Sequence, residues 1–310
     1  MLTLEEGETS TSCFIAPDPR IAPYLSTYYF TAIEGRDGGE VRDWMNPEWA
    51  SVRFCWLGQT RGAIHNGPFE DVPHAHFAGP TTVTQPFAAT RAQIASIGFL
   101  PLGWYRFMRE PAANWANRVA AADLVSTILP FKTMLEHVAA AAEPHAVADL
   151  FDTLLIDAMD AHPLTAAQAE EEDRIIAAHA ALIDPATSTV ADMTDRLGLT
   201  VKQLHRFSLK VFGFPPKLLI RRQRFIRTLA AVIHNPDSNW ADAIDLQYYD
   251  QPHFNRDFRE FFGMSPEQYR REPHPVINAA AKARMKALGD PLQALQRPDS
   301  PARPDDRRAV

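Results

Sequence analysis

Two sets of polar side chains, fifty positions apart, have the chemistry needed to bind the edges of DNA bases. The first set is Lys202, His205 and Arg206, and the second set is Gln251, Asn255 and Arg256. Arginine can donate two parallel hydrogen bonds to guanine, asparagine and glutamine suit adenine, and lysine or histidine can reach acceptors and phosphates. A lone exposed arginine is usually a surface charge, so its recurrence at one register is the informative feature. The pattern predicts two base-reading surfaces.

These side chains belong to residues 190–266, a stretch that repeats at an offset of fifty positions. The residues shared by the copies are Ala191, Asp192, Asp195, Arg206, Phe212, Gly213 and Pro216, which recur as Ala241, Asp242, Asp245, Arg256, Phe262, Gly263 and Pro266. A repeat at a fixed offset usually means one supersecondary unit used twice. Each copy predicts a short helix, a turn, a second helix and a Gly-x-x-Pro stop, which is the layout of a helix-turn-helix.

In the first copy, capping and apolar residues predict which side of the second helix faces solvent. Thr200 is expected to cap this helix after a tight turn at Gly198, and Thr200 is also a candidate DNA contact. Val201, Leu204 and Val211 are expected to face the core. The first set of polar side chains then lies on the opposite side, near the end of the helix where recognition helices meet bases.

The second copy follows the same plan with different outward residues. Asp250 is expected to cap the helix, and Phe254, Phe258 and Phe261 supply its apolar face. The second set of polar side chains is then outward. Because its residues suit adenine as well as guanine, we expect the two helices to read different sequences.

A long basic helix is predicted between the copies, beginning at Pro216. Its arginines, expected to point largely outward, are Arg221, Arg222, Arg224 and Arg227. Arg222 is the candidate phosphate contact among them. Residues 200–227 hold eight Lys or Arg and no Asp or Glu, so the local field favours phosphates although the net charge is −7. If this helix holds the reading helices about one DNA turn apart, roughly 34 Å, they enter successive major grooves.

Composition limits the class of protein. The chain of 310 residues, 46% hydrophobic and 22% charged, has room for two globular domains. The absence of a leader-like segment and of any run of eighteen apolar residues predicts a cytoplasmic protein without a membrane span. Cys13 and Cys55 are too few for a disulfide framework or a four-thiolate zinc site. No GxSxG elbow, P-loop or GxGxxG turn is present, so neither an enzyme nor a cofactor is predicted.

The N-terminal half predicts a β-domain followed by helices. Alternating residues such as Val52, Phe54 and Trp56, against Arg53 and Cys55, indicate half-buried strands from about residue 14 to residue 107. A β-sandwich or small barrel is the expected fold of these strands. Residues 112–182 change to a helical apolar period, which fits either an internal core or a dimer interface.

His74 and His76 raise an alternative function. Two histidines at i and i+2 on a strand would face one side and could share a metal, in a spacing that, with Gly67 before it, resembles the metal motif of cupins. No Glu follows within the next several residues, so no third ligand is nominated. The alternative is a metal-dependent cupin-type enzyme with a regulatory helical domain.

The pattern LHR…GFPPK…R, followed by ADAI…YYDQPHFNRDFREFFGMSPEQYRR, resembles the AraC/XylS family of bacterial transcription regulators over about residues 170–272. Two residues depart from the family pattern. Gln247 stands where the family usually has Gly, and Ser208 stands where the first motif usually has Phe, so Phe207 or Leu209 is expected to fill that part of the core. The segments RIAPYLSTYYF, FAGPTTVTQPF and GFLPLGWYRFM resemble the cupin-like sensor domains of such regulators.

This resemblance implies an α+β protein of two domains, with an N-terminal β-sandwich or cupin-like barrel, following helices, and an all-α C-terminal domain with two helix-turn-helix motifs. The expected ranges are 1–128 for the sensor domain, 129–170 for a helical dimerisation or linker region, 171–275 for the DNA-binding domain, and 276–310 for a largely disordered tail with one Ala-rich helix. The implied partners are double-stranded promoter DNA, a small-molecule effector in the N-terminal domain, RNA polymerase and a second copy of the chain. A third alternative is a protein-interaction module that no longer binds DNA.

Overall fold

A computed structural model describes residues 1–141, 143–234, 244–245, 247–289 and 292–298. The strands are β1 (Ser10–Ile15), β2 (Leu25–Glu34), β3 (Val41–Met45), β4 (Ser51–Gly62), β5 (Glu70–Asp71), β6 (Ala75–Ala78), β7 (Gln85–Phe99) and β8 (Val119–Ala121). The α-helices are α1 (Pro101–Phe107), α2 (Phe131–Ala141), α3 (Pro144–Ala161), α4 (Ala166–Ile183), α5 (Val190–Leu197), α6 (Val201–Phe212), α7 (Pro216–His234), α8 (Gln251–Phe262), α9 (Pro266–Arg271) and α10 (Pro275–Leu288). Within the described ranges, no helix has both the length and the apolar character needed to span a bilayer.

The strands form an antiparallel sheet in the order β1-β2-β7-β4-β6-β8, with β3 paired to β7 and β5 to β4. The alternation of side-chain direction predicted from the sequence of β4 is present. Val52 and Phe54 are fully buried on one face of the sheet, and Arg53 points to the other face. Helix α3 covers the first face, where the ring of Phe151 lies 5.8 Å from that of Phe54. The prediction of an N-terminal β-domain followed by a helical part is confirmed.

Helix α10 covers the other face and corresponds to the Ala-rich helix expected at the start of the tail. Asp43 of β3 lies at its N-terminal end, where Asp43 Oδ2 accepts hydrogen bonds from the backbone N–H groups of Val276 and Ile277, each at 2.9 Å. The side chains of Val276, Ile277 and Ala281 are buried. Because this helix buries an apolar face on the sheet and gains a carboxylate at its positive end, it is ordered by tertiary contacts. Residues 299–310 lie outside the described part.

The apolar core is divided unequally between the two domains. A large cluster runs from the sheet through α3 into the α4–α6 half of the helical domain, where it includes Met193, Leu204 and Phe212. A separate cluster surrounds Phe225 and Phe258 in the half formed by the end of α7, α8 and α9. The first half therefore shares its core with the β-domain, and the second half has a core of its own.

Candidate nucleic-acid interface

The first helix-turn-helix motif is formed by α5 and α6. Thr200 caps α6, since its Oγ1 accepts from the backbone N–H of Gln203 and the side chain of Gln203 accepts from the backbone N–H of Thr200. Gly198 permits the turn with φ of +63°, and Gly213 ends α6 with φ of +85°, both in the left-handed region that favours glycine. Local residue types therefore set the beginning and end of the reading helix.

The exposed face of α6 carries the first set of polar side chains. Lys202, His205 and Arg206 are exposed, whereas Leu204 is fully buried. Val201 is 63% exposed, so the expectation that it faces the core is wrong. Its place in the first turn, beside Lys202, puts an apolar side chain on the reading face.

The second reading helix, α8, has the same construction. Asp250 caps it by accepting from the backbone N–H of His253 at 2.7 Å. Gln251 and Arg256 are exposed and Asn255 is half-buried. Tyr249, in the turn before the helix, is 93% exposed, and the sequence interpretation did not single it out. The repeated Ala241 and Asp242, with the helix expected around them, lie outside the described residues.

The arginines of α7 are largely paired inside the protein, which corrects the expectation that they point outward. Arg221 and Arg224 donate to the buried carboxylate of Asp257 at 2.7 and 3.1 Å. Arg227 pairs with Asp245 at 2.5 Å. The carboxylates lie in the second copy of the repeat, so the charges of these three arginines are offset by partners distant in the chain.

Arg222 is the clearest correction among the candidate DNA contacts. Its side chain is fully buried, and its guanidinium carbon lies 4.1 Å from the centroid of the Trp49 ring. Burial lowers the pKa of Arg222 to about 9, and the carboxylate of Glu48 acts in the opposite direction. A side chain without exposed surface does not reach phosphate in this arrangement. Helical periodicity predicted an outward side chain at this position, but the β-domain covers this side of α7.

Lys217 is a cation that the sequence interpretation missed. It is exposed, lies in the first turn of α7, and forms no ion pair with the described residues. Phosphates bind readily at helix N-termini, because free N–H groups and the helix dipole both favour an anion there. Its position directly after the predicted helix start at Pro216 was the available signal.

The two departures from the family pattern are accommodated differently. Ser208 is fully buried, and its hydroxyl has no hydrogen-bond partner among the described residues, while Phe207 is also buried. Gln247 donates from its side chain to the backbone oxygen of Pro185 and accepts from Arg227 at 3.1 Å. Gln247 therefore joins the second motif to the loop before α5.

His74 and His76 do not face one another. His74 precedes β6 and is exposed, with Nδ1 2.8 Å from the backbone oxygen of Cys55. His76 is buried, and its pKa falls to about 3 because burial and the charge of Arg53 both oppose protonation. The expected same-side pair is therefore wrong, because only His76 lies within the strand. Among the described residues, no group of three or more His, Cys, Asp or Glu is placed to hold a metal.

A cavity of about 670 Å³ lies between the sheet and α10. Its sheet wall carries a polar row across four strands, in which Tyr29, Ser96, Arg53 and His76 are successive cross-strand partners. Arg53 is paired with Glu48, and the hydroxyl of Ser96 has no hydrogen-bond partner among the described residues. The wall on α10 combines the apolar Val276, Ile277 and Ala280 with the buried guanidinium of Arg284. The cavity thus offers an apolar patch on α10 beside polar groups from both walls.

The helix-turn-helix domain family model matches residues 193–272. No curated protein matches the chain significantly. Similar solved structures include ToxT from Vibrio cholerae, at 8% identity and a TM-score of 0.42 over 84% of this chain and 98% of that chain. Others are ToxT from Vibrio cholerae O395, at 10% identity and 0.41 over 84% and 96%, and ToxT bound to an unsaturated fatty acid, at 8% identity and 0.40 over 86% and 96%. The matched residues contain α6, α7 and α8, so this part of the chain is similar to that helix-turn-helix domain family.

Proposed function

We propose that the protein reads promoter DNA sequence-specifically with α6 and α8. The observation that carries the proposal is the matched construction of two capped helices, each exposing an arginine at the same register, Arg206 and Arg256. Lys202 and His205 add hydrogen-bonding groups on α6, as do Gln251 and Asn255 on α8. Because these outward residues differ between the helices, a single chain is suited to a non-palindromic site.

Selection of bound duplexes from a random DNA pool tests this proposal. We expect a consensus in two parts, separated by about one helical turn, roughly 10 base pairs. The matched control is the double variant Arg206→Ala and Arg256→Ala, which should enrich no bipartite consensus. A wild-type pool that stays random in sequence would overturn the proposal.

We also propose that the cavity binds a small-molecule effector. The polar row of the sheet, the apolar residues of α10 and the guanidinium of Arg284 suit a compact ligand with an apolar body and a hydrogen-bonding group. Ser96 and Gln85 supply free donors on the polar side, since neither Ser96 Oγ nor Gln85 Nε2 is bonded within the described part. Occupancy would bear directly on α10, which follows the DNA-binding domain in the chain.

A thermal-shift screen of small metabolites against the full chain tests the effector proposal. Genuine ligands should raise the Tm of the wild type. Ala280→Phe, which places a large ring in the cavity from its α10 wall, should abolish those shifts. Shifts that persist in this variant would place the binding outside the cavity.

The remaining partner and domain assignments stay predictions. The sensor domain (1–128), the helical region (129–170) and the DNA-binding domain (171–275) are proposed ranges. Contacts with RNA polymerase and with a second copy of the chain are untested, and the protein is proposed to act by binding, without catalysis.

A further inference from the structure

The loop between β3 and β4, residues 46–50, has one side in the cavity and the other in the DNA-binding domain. Asn46, Pro47 and Glu48 line the cavity. The next residue, Trp49, is 1% exposed and enters the helical domain. Cavity and helical domain are therefore connected through consecutive residues of one short loop.

Trp49 contacts two helices of the first half of the DNA-binding domain, α4 and α6, and also α7, which connects this half to the second. Its ring lies 5.4 Å from that of His179 on α4 and 5.8 Å from that of Phe212 on α6, measured between centroids. The guanidinium of Arg222 on α7 stacks over the same ring at 4.1 Å. Trp49 is thus a sensor-domain residue at the junction of the helices that place the reading helix.

A second connection runs beside the first. Gln293, which also lines the cavity, accepts a hydrogen bond from the backbone N–H of Trp49 at 3.0 Å and donates to Ser26 Oγ at 3.1 Å. The backbone oxygen of Ala294 accepts from Gln223 Nε2 at 2.8 Å. Helix α7 is consequently contacted at two neighbouring residues, Arg222 by Trp49 of the β-domain and Gln223 by the segment that follows α10.

The β-domain also contacts the second half of the DNA-binding domain. The backbone N–H of Thr84 donates to the backbone oxygen of Phe261 at 2.9 Å, at the C-terminal end of α8. Gly263, which ends α8, approaches Asn66 so closely that an added Cβ would lie 2.5 Å from Asn66 Oδ1. Each half of the reader is therefore held against the same β-domain.

Arg222 indicates that this junction is more than apolar packing. Its three guanidinium nitrogens have no hydrogen-bond partner among the described residues, although the side chain is fully buried. An unpaired buried charge lowers the stability of the folded state, and an apolar residue of similar shape usually stabilises a core more. The stacking of this guanidinium on Trp49 joins the β-domain to α7 through a charged group.

We propose that Trp49 is a positioning residue for DNA reading: its contact with Arg222 holds α7 so that α6 and α8 keep one separation. The inference rests on the proposed function. When two reading helices are held at the separation of their two half-sites, binding of one helix places the other at its own half-site. When their separation varies, the effective concentration of the second helix at its half-site falls, and the protein also accepts half-sites at other separations.

The experiment measures the affinity of the full chain for its selected site and for copies of that site with one base pair added or removed between the two parts. For Trp49→Ala we expect an affinity about tenfold weaker at the selected spacing. The difference in affinity of this variant between the selected site and the sites of altered spacing should become smaller. Its base preference within each part of the site should stay unchanged. Trp49→Phe, which keeps an aromatic ring over which Arg222 can stack, is the matched control and should retain the wild-type spacing profile.

Gln293→Ala supplies a milder variant if Trp49→Ala fails to fold. It removes the hydrogen bond to the Trp49 backbone and should weaken spacing discrimination in the same direction. A wild-type spacing profile in the folded variants overturns the inference and leaves DNA reading intact. Failure of the wild-type protein to select any site overturns the proposed function instead, so the two failures are distinguishable.

Discussion

At the residue scale, the exposed arginines of the two reading helices should carry base preference. We expect Arg206→Ala or Arg256→Ala to cost about 1–3 kcal/mol of binding free energy and to relax preference at the contacted base pair. Competition binding with single-base variants of the selected site measures both effects. Arg91→Ala, an exposed arginine on β7, is the control. Unchanged preference in both variants would contradict the assignment of α6 and α8.

Lys217 should act differently because phosphate contacts are independent of base sequence. Lys217→Ala should weaken binding to all sequences alike and reduce the slope of log affinity against log salt by about one. A salt titration with selected and random duplexes makes the measurement. A loss confined to the selected duplex would mean that Lys217 reads bases instead.

Arg222 makes a prediction about stability. Arg222→Met removes a buried, unpaired charge and keeps a long side chain over Trp49, so the free energy of unfolding should rise by about 1–4 kcal/mol. Urea denaturation of both proteins measures the difference, with Lys217→Met as the exposed control. A destabilised variant would indicate that the guanidinium itself contributes favourably to the folded state.

At the element scale, the attachment of α10 to the sheet should depend on pH. His274 Nδ1 donates to Asp43 Oδ1 at 3.1 Å and Nε2 donates to the backbone oxygen of Tyr269 at 2.8 Å. Both ring nitrogens must carry protons to make both bonds. Burial opposes the charge, but the hydrogen bonds to Asp43 and Tyr269 outweigh it, and with the charges of Asp43 and Glu272 they raise the pKa of His274.

Because the folded pKa lies above the unfolded value of about 6.5, this contribution to stability is complete below that pH and is lost as pH rises through the folded pKa. The difference in unfolding free energy between wild type and His274→Gln should therefore be largest near about pH 6 and should shrink on the alkaline side of the raised pKa. Denaturation across this range measures it, with the exposed His137→Gln as control. A difference that grows with pH would contradict the assignment.

The elements also show which features a sequence can disclose. Thr200, Asp250, Gly213 and Gly263 act within one turn of their own helix, so the ends of both reading helices could be predicted from residue type alone. Val201 could not, because the direction of a side chain in the first turn of a helix depends on what packs beside it.

At the scale of the whole molecule, the failed expectations for the arginines of α7 share one cause. The partners of Arg221 and Arg227 lie in the second copy of the repeat, and the ring that covers Arg222 comes from the opposite domain. Contacts between residues so distant in sequence produce no local pattern from which they could be predicted. The fold class and the ends of α6 and α8 were predictable, but the internal pairing of the α7 arginines and the contact between domains were not.

The packing of α10 on the sheet has a consequence for synthesis of the chain. β1 (Ser10–Ile15) leaves the ribosome early, whereas the helix that completes the cavity follows only after residue 274. Domains commonly fold in the order in which they are made. Here the β-domain is completed by residues made after the helix-turn-helix domain, so the cavity forms only when Pro275–Leu288 has been made. A nascent chain arrested before residue 275 should therefore lack the closed cavity, even when its helix-turn-helix domain has already been made.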